Sequence, residues 1–149
     1  MTEKLVVPSD AHRNVVEAAR SYLVVARQMK LLYIGGRITP PEDAACRRAI
    51  LEANVSIAVA AFFEASRKGW AVHCPHPLAL WGAELEWWAQ YGVVMPCDIT
   101  FIEKADAVLL LPGWEDSHGC QIEKRVADEL EKPIYYSIEE LPNLRGPEE

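Results

Sequence analysis

The segment Leu111-Pro-Gly-Trp-Glu-Asp-Ser-His-Gly-Cys-Gln-Ile-Glu123 concentrates residue types that can do chemistry. It leaves an apolar run, crosses a polar loop and enters a helix-forming stretch. The Ser117 hydroxyl and the amides around Gly119 can face an anion at a helix N-terminus, where the dipole favours negative charge. Glu123 follows about one turn later, and a helical side chain leans back toward the N-terminus. It can therefore reach the same cleft. One loop thus offers an anion cradle and a carboxylate, with Asp116, Ser117 and Gly119 as candidate binding residues. Spacing alone leaves a second role open, in which Glu123 only complements the helix dipole. It is not part of a capping box, because that motif needs a Ser-to-Glu spacing of three residues and here the spacing is six.

Other residues could join this cleft. Asp98 follows Pro96-Cys97 in an expected loop and can enter the cleft, the competing role being an N-cap. Asp106 sits just before an apolar run and is expected to hold a turn. Gly35-Gly36 follows another apolar run; glycines permit close approach of a ligand, and Arg37 can pair with a phosphate. The pair lacks the full GxGxxG dinucleotide pattern. His73-Cys74-Pro75-His76 holds potential metal ligands, but a strand would point His73 and Cys74 to opposite faces, so no metal site is expected. The aromatic group Trp81, Trp87, Trp88 and Tyr91 is expected in the core or at a subunit interface.

The elements that must position these residues alternate. Ser9-Asp10 can cap a helix running to about Lys30, with Val15, Val16, Ala19, Tyr22, Leu23, Ala26 and Met29 on one apolar face. Leu31 to Ile34 is a short apolar run that reads as a buried strand ending at Gly35-Gly36. A helix is expected from Asp43 to Lys68, ended by Gly69. Trp70 to Cys74 follows as a strand, stopped by Pro75 and Pro77. Ala83 to Tyr91 is expected as a helix ended by Gly92, and Asp98 to Lys104 as a single helical turn. Ala107 to Leu111 is the clearest strand. A helix from about Gly119 to Glu131 and a last strand over Pro133 to Tyr136 complete the pattern. Leu141 to Glu149 reads as a surface tail. Strands alternating with helices imply a parallel sheet with crossover helices. Ligands of such sheets sit at the carboxyl ends of the strands, near a topological switch point. The segments leaving those ends are Gly35 to Thr39, Cys74 to Leu78 and Pro112 to Gly119.

Composition narrows the classes. The chain has 149 residues, half of them hydrophobic, which suits one globular domain. With 15 Lys+Arg against 22 Asp+Glu, a formal charge of −7, a generic nucleic-acid or anionic-membrane binder is not expected. The four cysteines include no CxxC pair, so neither a zinc ribbon nor a redox motif is expected. The start MTEKLVVPSD lacks a signal-peptide pattern, and no apolar stretch is long enough to span a bilayer. A cytoplasmic location is the expectation.

Together the motifs are familiar. Strand–Gly35-Gly36, helix–Gly69–strand–Pro75, Asp98, Ala105-Asp106, Leu-Pro-Gly-Trp, Ser117-x-Gly119-x-x-x-Glu123 and Lys132-Pro133 resemble the nucleoside 2-deoxyribosyltransferase-like superfamily, in particular a branch of short proteins of unassigned function. The resemblance spans roughly Leu31 to Tyr136. It implies a flavodoxin-like (Rossmann-like) three-layer α/β sandwich with a parallel sheet of four or five strands over residues 31–140, preceded by an added helix within 1–30 and followed by a tail over 141–149. It also implies cleavage of an N-glycosidic bond without a cofactor. Glu123 inherits the role of nucleophile on the anomeric carbon, Asp98 that of contacting or protonating the base, and Ser117 that of binding a 5′-phosphate. The implied partner is a nucleoside or nucleotide, and a homo-oligomer is expected because sites in this family are often completed by a neighbouring subunit. Many of these enzymes carry a second glycine where this chain has Gln121, whose larger side chain is expected to narrow or reshape the pocket. Two alternatives stand beside this one. One is a non-catalytic nucleotide-binding or sensing protein. The other is a phosphoribohydrolase of the Pro-Gly-Gly-x-Gly-Thr type, against which Trp114 and the longer gap to Glu123 speak.

Overall fold

A computed structural model describes residues 14–38, 45–85 and 91–146, with only the backbone described for 81–85 and 91. Four strands, β1 (Leu31–Gly35), β2 (Ala71–His73), β3 (Ala107–Leu110) and β4 (Ile134–Tyr135), form one parallel sheet in the order β2-β1-β3-β4. The helices are α1 (Val15–Gln28), α2 (Arg47–Arg67), α3 (His76–Leu85), α4 (Tyr91–Lys104) and α5 (His118–Glu129). The result is an α/β sandwich of the flavodoxin-like, three-layer kind, whose sheet has four strands among the described residues.

Alternation along the strands divides the core. Leu32 and Ile34 of β1 face α2, packing with Ala58, Ala61 and Ala65 and with Leu109 of β3. Tyr33 of β1 points the other way, with Val108 and Leu110, toward Ile102 of α4 and Ala127 of α5. β1 and β3 are buried on both faces, which explains their unbroken apolar character. α2 is long and apolar enough to cross a membrane by length and composition. Here it buries Leu51, Val55, Ala58, Ala61 and Ala65, at the spacing of a helix laid on a core. Gly69 ends it with φ +95°, a conformation suited to glycine.

Several boundaries differ from expectation. The first helix is capped by Asn14, whose Oδ1 accepts from the Val16 amide at 3.0 Å. The expected Ser9-Asp10 cap and the Asp43 start of α2 lie outside the described residues. α3 begins at His76, well before Ala83; Pro77 is no stop, because the first turn of a helix has no intrahelical use for its amide. Trp87 and Trp88, and the side chains of Trp81 and Tyr91, lie outside the described residues. The single turn expected at Asp98 is instead the second half of α4, which contains both Gly92 and Pro96. The C-terminal segment is less of a surface tail than expected. Leu141 is buried, Trp70 Nε1 donates to the Pro142 carbonyl at 2.9 Å, and Lys68 Nζ donates to the Leu141 carbonyl at 2.8 Å.

Candidate active site

The chain leaves β1 to build α2 on one side and leaves β3 to build α5 on the other. The carboxyl ends of β1 and β3 therefore form the switch point of this sheet, where such folds bind ligands. The two ends are tied together by the Leu111 amide, which donates to the Gly35 carbonyl at 2.9 Å.

Glu123 comes to this point from α5. Ser117 is the N-cap, its Oγ accepting from the Cys120 amide at 3.4 Å. From that start, Gly119, Cys120, Glu123 and Ala127 fall on the buried face of the helix. Glu123 is thus a carboxyl at a core position, 7 % exposed, and not a surface group complementing the dipole. Its Oε1 accepts from the Tyr33 hydroxyl at 2.8 Å. Its Oε2 is buried and has no hydrogen-bond partner among the described residues. Such an oxygen is costly unless a ligand supplies the missing donor or positive charge.

Asp98 reaches the same place from α4. It is neither in a loop nor an N-cap. Met95, Asp98, Ile102 and Ala105 are all buried, so the aspartate occupies a core position on a helical face. Burial pushes its carboxyl up to about 6, offset in part by the Tyr33 hydroxyl. Burial pushes Glu123 up to about 8; the Tyr33 hydroxyl offsets part of this and the Asp98 charge adds to it. Burial, then the two carboxyls, raise Tyr33 well above its ordinary value, so it remains a hydroxyl donor. Three elements, β1, α4 and α5, thereby set two carboxyls around one phenol. Cys120 is held as a thiol, pushed up to about 12 by burial first and the Glu123 charge second.

The glycines have a different use from the one expected. A Cβ at Gly35 would lie 2.5 Å from Glu123 Oε2, so Gly35 makes room for the carboxylate. A Cβ at Gly36 would lie 2.9 Å from His76 Nε2 and 3.1 Å from Leu111 Cδ1. Both glycines are packed against protein groups. Arg37 follows them, half-buried. Asp116 is exposed in the short 3₁₀ turn Trp114–Asp116. Gln121 does not fill the cleft: it is exposed, and its Nε2 donates back to the Glu115 carbonyl, tying down the loop. Asp106 is structural, its Oδ2 accepting from the Leu31 amide at 2.7 Å.

The residue missed from the sequence is Tyr33. Its signal was a lone phenol in an otherwise aliphatic buried strand, where a hydroxyl needs a partner. Among the described residues no cluster of His, Cys, Asp and Glu has the makings of a metal site. No curated protein matches the sequence. The DUF4406 family model, described as a domain of unknown function, matches residues 30–136. That span takes in all four strands, both carboxyl-bearing helices and every member of the acidic site, and the chain belongs to the DUF4406 family.

Proposed function

We propose that this protein cleaves the N-glycosidic bond of a nucleoside or nucleoside 5′-monophosphate, as an enzyme of the nucleoside 2-deoxyribosyltransferase-like kind. The observation that carries this reading is the buried Glu123 carboxyl, whose Oε2 has no partner among the described residues, beside a second carboxyl at the sheet's switch point. Glycosidic cleavage passes through an oxocarbenium-like state, which a carboxylate captures while an acid protonates the leaving group. In this proposal Glu123 Oε2 attacks C1′ and forms an ester bond. The C1′–N bond breaks and its electron pair leaves with the base, which takes a proton from Asp98. Water, or a second base, then attacks C1′ and releases Glu123. Burial raises Glu123 to about 8 and Asp98 to about 6, so at neutral pH the pair retains one proton and it rests on Glu123; that proton must pass to Asp98 before Glu123 attacks and the base leaves. Tyr33 orients Glu123 through Oε1 and leaves Oε2 for the sugar. The start of α5, with Ser117 and Gly119, is assigned to the 5′-phosphate, and Arg37 to its charge. No cofactor has a role in this scheme.

The proposal includes a cytoplasmic site of action, where nucleotide substrates are made, and self-association. Among the described residues α1 buries no side chain and leaves Val15, Val16, Leu23 and Val24 exposed. A monomer in light scattering at micromolar concentration would remove self-association.

The test of the activity is incubation with a panel of nucleosides and nucleoside monophosphates, with and without a free-base acceptor. Free base without acceptor means hydrolysis, and base exchange means transfer. Tight binding without product means a sensor and contradicts the enzymatic reading.

A further inference from the structure

A second buried polar centre lies behind the Gly35-Gly36 turn. His76, the first residue of α3, is 1 % exposed. Its Nε2 lies 3.1 Å from the Gly36 carbonyl oxygen, which can only accept, so Nε2 carries the proton. Burial lowers the imidazole to about 4, so the ring is neutral and Nδ1 is a bare acceptor. Cys74 Sγ lies 3.5 Å from that Nδ1 and 3.9 Å from the Ala58 carbonyl oxygen, so its one proton has two acceptors within reach. Burial holds Cys74 as the thiol. Both residues leave the end of β2, the strand beside β1. The Gly35-Gly36 turn is thus gripped from three sides. His76 holds the Gly36 carbonyl, the Leu111 amide holds the Gly35 carbonyl, and Glu123 Oε2 sits where a Gly35 side chain would be.

We infer that His76 is a positioning residue. By holding the Gly36 carbonyl it presses Gly35 against Glu123, keeping water from Oε2 and fixing the direction in which that oxygen faces. The inference rests on Glu123 being the reacting group, but its physical content, a fixed and dry carboxyl, can be read without any substrate. The Gly36 carbonyl sets the imidazole tautomer, and Cys74 lies against the Nδ1 side of the ring.

The test is the titration of the Glu123 carboxyl, followed by carbon NMR in the full chain with labelled glutamate, for the unmodified protein, His76→Phe and His76→Gln. The groups facing that carboxyl are Tyr33, Asp98 and Cys120, and none of them is changed. Phenylalanine keeps most of the volume and removes the donor. Glutamine keeps an N–H for Gly36 and an oxygen for the Cys74 thiol. The expected result is a midpoint that falls by about one pH unit or more in His76→Phe as water reaches Oε2, and that returns in His76→Gln. A folded His76→Phe with an unchanged midpoint overturns the assignment. If neither variant folds, nitrogen NMR of the unmodified protein decides: a proton on Nε2 supports the assignment, and a proton on Nδ1 overturns it. A shifted midpoint in a protein that cleaves no nucleoside would support the positioning role and remove glycosidic cleavage. Cleavage with an unshifted midpoint would do the reverse.

Discussion

Two buried polar centres flank one glycine turn, and they are built on opposite principles. In the Cys74–His76 centre both imidazole nitrogens are within bonding distance of a partner, and the ring is neutral. In the Tyr33–Asp98–Glu123 centre two acidic groups share one phenol, and one buried oxygen has no partner among the described residues. A satisfied network holds a structure in place; a deliberately incomplete one is where a ligand has something to add. The difference separates the group that reacts from the group that holds the frame, although both are buried and both touch the same turn.

The largest effect expected is at the incomplete centre. Glu123→Gln is nearly isosteric, so the fold should survive. The amide lacks the charge that the transition state needs, so turnover should fall by orders of magnitude while ligand binding persists. Steady-state cleavage rates and thermal melts of both forms check this. A folded variant with near-normal turnover would break the contrast between the centres.

The two glycines sharpen it next. Gly35→Ala drives a methyl group into Glu123 Oε2, at 2.5 Å, and Gly36→Ala drives one into His76 and Leu111. Each overpacked site should cost about 1–3 kcal/mol of stability. Carboxyl displacement should make the Gly35 variant lose far more turnover than stability, and the Gly36 variant, which pushes on His76 and reaches Glu123 only through it, should lose less turnover for a similar loss of stability. Denaturant melts alongside rates would show this, and equal losses of both kinds would count against it.

A third expectation is the pH dependence of stability. Glu123 is raised from 4.5 to about 8 in the folded chain, so between those values the folded state holds a proton that the unfolded state has lost. Stability therefore falls as pH climbs through that window and levels off above it. Asp98, raised from 3.8 to about 6, adds a fall of the same sign at lower pH. Melting temperatures from pH 4 to 9 should slope downward, and Glu123→Gln should flatten the upper part. A slope unchanged in the variant would mean that Glu123 is not the titrating group. The smallest effect is at Ser117. Ser117→Ala should weaken a nucleoside monophosphate about tenfold, the size of one hydrogen bond to a charged group, while leaving the nucleoside unchanged. Equal weakening of both would assign Ser117 only to its cap, which the Cys120 amide already uses.

Much of this was legible beforehand, for physical reasons that differ by residue. The strands showed as continuous apolar runs, because β1 and β3 are covered on both faces. Glu123 showed because its distance from a capping serine puts it on the first buried turn. Asp98 was legible as a candidate but misplaced. Gly92 and Pro96 read as breaks, whereas the helix runs through both, and only the period of Met95, Asp98 and Ile102 betrays it. Tyr33 was hidden as one more large residue in a hydrophobic strand. His76 stood out only as a potential metal ligand, and its contact with Gly36 was hidden for a topological reason, since the two are brought near only when β2 pairs beside β1. Two glycines after a strand read as room for a ligand, and a sequence does not say that Glu123 and His76 use that room.

The central claim is that Glu123 forms a bond to the sugar. Peptide mapping by mass spectrometry, after rapid acid quench of the protein with a cleaved nucleoside or nucleotide, tests this most directly. The account predicts a pentosyl or phosphopentosyl adduct on the peptide containing Glu123, formed with release of free base, discharged by water or an acceptor base, and absent from Glu123→Gln. Release of base at full rate with no adduct on Glu123, or an adduct on another residue that persists in Glu123→Gln, would contradict it.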